Sequence, residues 1–202
     1  MHRELLDALS VITEEEQRIL DEQRGIDPQL YTEKKELIVD SEKLLKKGKL
    51  IQVRPHTRFV NFPKHKHNYV EVIYMCQGTT THILNGSKVI LEAGDLLFLN
   101  QNAEQEILPA GEQDIAVNFI VLPEFFDTAF SMMDMEEENA LKEFLVGALC
   151  GKNDQTSYLY FMWQRSFRSR IWWKIWYGRS SMTSRTKGDV IRSPWGFCFF
   201  SF

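Results

Sequence analysis

The chain has 202 residues, 44% of them hydrophobic and 26% charged, which suits one compact domain with extensions or at most two small domains. Its net charge of −4 hides an asymmetry: residues 164–202 hold eight Lys/Arg against one acid, Asp189, while the first 163 residues carry 16 basic and 27 acidic side chains. An acidic body of this kind argues against a nucleic-acid-binding surface over most of the chain.

Cys76, Cys150 and Cys198 lie far apart and form no C-x-x-C pair. That pattern speaks against a zinc ribbon or a disulfide framework and fits a reducing cytoplasm. The N-terminus is charged throughout, without the apolar run of a signal peptide, and no stretch reaches the roughly 20 apolar residues of a membrane helix. A cytoplasmic protein with no membrane partner is expected.

Residues 1–49 read as a helical segment. Thr13 to Glu16 fits a capping box with Ile19 and Leu20 behind it, Gly25 offers a stop, and Pro28 breaks the run. A second short helix is expected at 40–47, before Gly48. From Leu50 the pattern changes to short β-prone runs, at about 50–54, 69–76, 79–85, 87–91, 95–99, 104–109 and 115–122. Asn85-Gly86 is a strong hairpin signal, and Gly94-Asp95 marks another tight turn. These runs predict a mainly β unit over 50–122, an antiparallel sandwich or barrel.

After Pro123, Phe125, Phe126, Ala129, Phe130 and Met133 recur at helical spacing, and Ala140 to Leu149 repeats the pattern. Residues 123–163 are therefore expected to be a helical linker or dimerisation segment. Tyr69 and Tyr74 read as packing residues, Phe125, Phe126 and Phe130 as core or dimer interface, and the acidic run 134–138 as solvated.

The most informative stretch is His65-Lys66-His67-Asn68-Tyr69-Val70-Glu71, followed by Gly78. In one strand, positions 65, 67, 69 and 71 share a face, so two imidazoles and a carboxylate converge. That is the donor set of an open facial site for Fe(II), Mn(II) or Zn(II). The same residues could instead line a pocket for an organic effector, or stand on a solvated edge strand between lysines.

His65, His67, Glu71 and Gly78 resemble the first motif of the cupins, and Gly94 resembles the start of the second. Asn100, Asn102 and Gln105 stand where that second motif carries proline, glycine and the last histidine ligand. The resemblance implies a cupin, or jelly-roll, antiparallel β-barrel in which Gln105 gives a transition metal a weaker donor than imidazole. With the flanking helices, it points to the ligand-sensing half of an AraC-like transcription regulator. It implies a homodimer that takes a small-molecule effector, such as a sugar, through His65, His67, Glu71 and Gln105. No catalytic residue and no obligatory cofactor are implied; a divalent metal on His65, His67 and Glu71 stays open. The alternatives are a small metal-dependent cupin enzyme (an isomerase or dioxygenase) and a stand-alone sugar-binding cupin.

Residues 164–202 contain four of the five tryptophans, six arginines and seven serines, with no periodicity. They could be an Arg/Trp-rich arm for membrane or nucleic acid. With suitable synonymous codons, however, 163–186 read one frame over gives a capped, amphipathic helical sequence like the linker of AraC-like regulators. The expectation is a non-native, frameshifted tail. DNA contact would then belong to a helix-turn-helix pair that this chain lacks.

Overall fold

The computed structural model describes residues 3–22, 25–34, 36–126, 156–163, 173–179, 190–192 and 198–200. Two helices lead, α1 (Arg3–Ser10) and α2 (Glu14–Glu22), followed by a short 3-10 turn at Pro28–Leu30, strand β1 (Ile38–Val39) and α3 (Ser41–Leu44). The capping box forms as read: Thr13 N–H donates to Glu16 Oε2 (2.9 Å) and Glu16 N–H to Thr13 Oγ1 (3.2 Å). Asp40 caps α3 by accepting from Glu42 N–H at 3.0 Å.

The body is β2 (Ile51–Pro55), β3 (Phe62–His67), β4 (Val70–Gln77), β5 (Thr79–Leu84), β6 (Ser87–Glu92), β7 (Leu96–Leu99), β8 (Gln105–Ile107) and β9 (Ile115–Val121). Later come β10 (Thr156–Trp163), β11 (Trp173–Arg179), β12 (Val190–Arg192) and β13 (Cys198–Phe200). They make a sheet ordered β1-β3-β8-β5-β6, another ordered β11-β10-β7-β4-β9-β2, and the separate pair β12-β13. The two larger sheets form a mainly β, cupin-type barrel, as the strand spacing predicts.

Local chemistry explains several turns. Asn85 and Gly86 both adopt positive φ, 49° and 84°, between the paired residues Leu84 and Ser87, the geometry of a two-residue hairpin turn. Gly78 sits at φ 76°, and a Cβ there would lie 2.8 Å from the carbonyl of Gln113, so the turn admits only glycine without movement.

Alternation fills the barrel. Ile73, Met75, Leu84, Val89, Leu91, Leu97 and Leu99 form one apolar cluster with Tyr158 and Tyr160. Tyr31, Val39, Phe62, Tyr69, Ile107 and Ile120 form a second, against which Ile26, Leu30, Leu37 and Leu44 of the leading segment pack. That segment is also clamped by a buried ion pair. Arg58 donates to Glu16 through Nε (2.7 Å) and Nη2 (2.9 Å), and its backbone N–H donates to the same carboxylate (3.0 Å). Nη1 donates to Glu112 O at 2.9 Å, and Nη2 also lies 3.3 Å from Ser10 O and from Val11 O. Burial raises the Glu16 carboxyl, but the hydrogen bonds from Arg58 and from the Thr13 backbone outweigh it and hold it below the usual range. Such a pair adds little over an apolar replacement, yet stripping it of one partner costs about 3–5 kcal/mol.

Three expectations need correction. His65 and His67 lie on β3, not on one strand with Glu71, which belongs to β4. The helical linker expected through 163 ends in strand: β10 pairs with β7, Tyr158 opposite Leu99 and Phe161 opposite Leu96. It buries Tyr158, Leu159 and Tyr160, with the Tyr160 hydroxyl 2.6 Å from Asp95 Oδ2. Part of the tail is also strand, since β11 pairs with β10. Residues 123–126 are helical, but 127–155, which carry the rest of the expected helices, lie outside the described residues. No described helix is long and apolar enough to cross a membrane.

Because β10 supplies core, the boundary of the folding unit falls after it. A chain ending at Trp163 should melt within a few degrees of full length, a shift worth about 1 kcal/mol. A chain ending at Gln155 should lose its cooperative transition. Equal melting of both shortened chains would show that β10 adds nothing.

Candidate functional site

Four of the five histidines, His56, His65, His67 and His82, are buried in this barrel. A β-bulge makes the arrangement possible. Phe62 pairs with Ile107 and His65 with Gln105, so three steps on β3 match two on β8. The extra residue shifts the alternation, turning Phe62, His65 and His67 inward while Lys64 and Lys66 stay exposed. The chain then reverses at Asn68-Tyr69, and Glu71 enters the opposite sheet, between Leu99 and Ile120. The predicted constellation therefore comes from two facing sheets rather than one strand.

His65, His67 and Glu71 line one cavity of about 40 Å³, together with His56, Asn118, Arg54, Tyr31 and Tyr69 among others. At roughly 10–15 Å³ for each water, that volume admits about three water-sized groups. A chamber of about 440 Å³ adjoins it and shares Leu44, Arg54, Pro55, His56 and Thr57. Gln105, the fourth predicted residue, is fully buried but does not line the cavity. Its Nε2 lies 2.8 Å from His82 Nδ1, and His82 Nε2 lies 2.9 Å from Thr80 Oγ1.

A relay crosses the interior. Asn118 Nδ2 donates to Glu71 Oε1 (2.8 Å), which turns Asn118 Oδ1 toward His56 Nδ1 at 2.9 Å. His56 Nδ1 must therefore carry the proton and donate. His65 Nδ1 donates to Pro63 O at 2.7 Å. His67 Nε2 lies 3.4 Å from Glu71 Oε2, an electrostatic approach without an aligned hydrogen bond. After these contacts His56 Nε2, His67 Nδ1, Glu71 Oε2 and Gln105 Oε1 remain buried with no partner.

Desolvation sets the charges. Burial drives the His65 imidazole down to about 4, lowers His56, and holds His67 and His82 well below the usual range. It also pushes the Glu71 carboxyl up to about 7, against the hydrogen bond from Asn118 and the charge of Arg54. The imidazoles are thus neutral at physiological pH, each with one donor and one acceptor nitrogen.

The cupin fold implies a metal, and the donors do not fit one. No group of three or more His, Cys, Asp or Glu among the described residues is placed to hold an ion. Glu71 is engaged by Asn118, and Gln105 faces His82. The position of the second motif carries a different job: Asn100 Oδ1 accepts from Asn102 N–H at 3.0 Å, shaping the turn into β8.

His56, His82 and Asn118 were not singled out from the sequence. Alternation gave a signal for His82, since Thr80, His82 and Leu84 share the inward face of β5. His56 follows the last residue of β2, where no pattern marks it, and Asn118 sits in an otherwise apolar strand.

Two facing sheets close on a buried, histidine-rich interior, the architecture of a cupin-type barrel. Residues 50–129 match the family described as the AraC-like ligand binding domain. No curated protein matches. Among solved structures, unsaturated fatty acid-bound ToxT from Vibrio cholerae is 12% identical, with a TM-score of 0.39, over 55% of this chain and 39% of that one. A cupin protein from Bacteroides fragilis is 22% identical, TM-score 0.30, over 36% and 63% respectively. A predicted oxalate decarboxylase from Thermotoga maritima is 24% identical, TM-score 0.31, over 36% and 64%. The chain spans about two fifths of the two ToxT chains it resembles.

Protein purified without chelator should contain well under one equivalent of iron, manganese or zinc. Near-stoichiometric metal that disappears in His67→Ala would overturn this view of the donors.

Proposed function

We propose that this chain is the effector-sensing and dimerisation part of a cytoplasmic AraC-type transcription regulator, not an enzyme. The effector is a small polar molecule, a sugar or a compound of similar polarity, with one polar group in the inner cavity among His56, His65, His67 and Glu71 and the rest in the adjoining chamber. DNA contact falls to the helix-turn-helix region of such regulators. The acidic first 163 residues, with 27 acids against 16 bases, suit the sensing role and not phosphate binding.

One observation carries the reading. His56 Nε2, His67 Nδ1 and Glu71 Oε2 belong to residues lining one cavity, and all three are buried without a partner. Each such atom costs roughly 1–3 kcal/mol. A bound polar molecule recovers that cost, whereas a purely structural core would have used apolar residues. Catalysis lacks comparable support among the described residues: the donors do not assemble a metal, and the Thr80 hydroxyl beside His82 Nε2 is buried and does not line the cavity.

The test is a calorimetric and melting screen of sugars and other small polar molecules against the full chain. A ligand that raises Tm should lose about tenfold or more in affinity in His67→Ala, as expected for one buried hydrogen bond with neighbours left unpaired. If a ligand binds equally well to His67→Ala and to Asn118→Ala, the barrel interior is not its site.

A further inference from the structure

The polarity of the unpartnered atoms says more than their number. Asn118 fixes the His56 proton on Nδ1, so Nε2 is an acceptor. The bond to Pro63 O fixes the His65 proton on Nδ1, leaving its Nε2 as an acceptor too. The Glu71 carboxylate, 3.4 Å from His67 Nε2, favours the proton on that nitrogen and leaves His67 Nδ1 as an acceptor. Glu71 Oε2 is the fourth. These four acceptors belong to residues that line one cavity of about 40 Å³, and three of them, on His56, His67 and Glu71, are buried with no partner. Among the charged groups lining it, only Arg54 brings donors, and Arg54 is drawn outward, 3.7 Å from Glu15 and over the Tyr31 ring.

The geometry points to a primary ammonium group as the occupant of the inner cavity, so that the effector is a small primary amine. This rests on the proposed effector-binding role of the barrel and narrows its ligand class. An ammonium supplies three donors from one nitrogen and no acceptor, which matches the three atoms of cavity-lining residues that lack a partner, His56 Nε2, His67 Nδ1 and Glu71 Oε2. A hydroxyl donates once and brings lone pairs, so it satisfies one of these atoms and sets a further acceptor among the rest. A single water donates twice and also presents lone pairs to acceptors. A divalent ion would need three or more ligands on one centre, which the described residues do not gather. A buried cation beside Glu71 favours the ionised form of its carboxyl, which burial alone pushes up to about 7, and the pair then neutralises both charges.

The rest of the amine has a place. The 440 Å³ chamber adjoins the inner cavity through Arg54, His56 and Thr57 and is lined by both signs of charge, Glu14 and Glu15 against Arg18 and Lys43. A short carbon skeleton bearing hydroxyls or a second polar group fits there.

Matched pairs that differ only in the amine test this on the full chain with EDTA present: ethanolamine against ethylene glycol, glucosamine against glucose, and putrescine against 1,4-butanediol. Calorimetry at neutral pH should show, in at least one pair, the amine binding about tenfold tighter or more. N-acetylation of that amine, or Glu71→Gln, should abolish the advantage. If the alcohol or neutral sugar binds as well as its amine in every pair, the ammonium assignment falls while the effector-binding role stands. If only a neutral sugar binds, and Glu71→Gln leaves its affinity unchanged, the same conclusion follows. If neither member of any pair binds, the ammonium assignment falls. The role itself then falls only if the wider screen of polar molecules is also blank.

Discussion

Polar groups taken out of water must find partners, and the interior of this barrel is organised around that demand. Four imidazoles, the Glu71 carboxyl and the Gln105 amide are buried in that interior, with the Asn118 amide hydrogen-bonded to two of them. Desolvation keeps the imidazoles neutral and raises Glu71. The Asn118 amide then links Glu71 to His56 and fixes which atoms donate. The network is directional because each amide and each neutral imidazole has one donating and one accepting side.

The surroundings hold this costly interior in place. The bulge in β3 phases two histidines inward against the simple alternation of Lys64 and Lys66. Phe62 packs on His65 with centroids 4.4 Å apart, and Tyr69 on His67 at 5.0 Å. The leading segment closes over them: Val39 pairs with His67, Asn68 Nδ2 donates to Asp40 Oδ1 at 2.9 Å, and the Arg58–Glu16 pair anchors α2 against the barrel. On the far side β10 pairs with β7 and contributes Tyr158 and Tyr160 to the apolar cluster.

Much of this was legible in the sequence. Seven strands fell where β-propensity, alternation and turn residues agreed, and the Asn85-Gly86 hairpin and the Thr13 capping box followed from local chemistry alone. Local rules failed where tertiary context decides. Pro63 and two lysines hide β3, whose identity depends on a bulge set by its partner β8. Thr156–Trp163 carries β-prone aromatics, but the helical spacing of 125–149 drew the expectation past it. The motif singled out His65, His67 and Glu71, which line one cavity. It overstated Gln105, which looks to His82, and passed over His56 and Asn118, which only the crossing of strands brings to the cavity.

The protonation pattern of the imidazoles tests the account most directly. Nitrogen NMR of the histidine-labelled chain at neutral pH should show the rings of His56, His65, His67 and His82 neutral, with the proton of His56 and of His65 on Nδ1. Each of these rings should gain its second proton only below the ordinary histidine value near 6.5. Imidazolium signals from these residues at neutral pH, or an Nε2 proton on His56, would contradict the desolvated relay and the acceptor-lined site built on it.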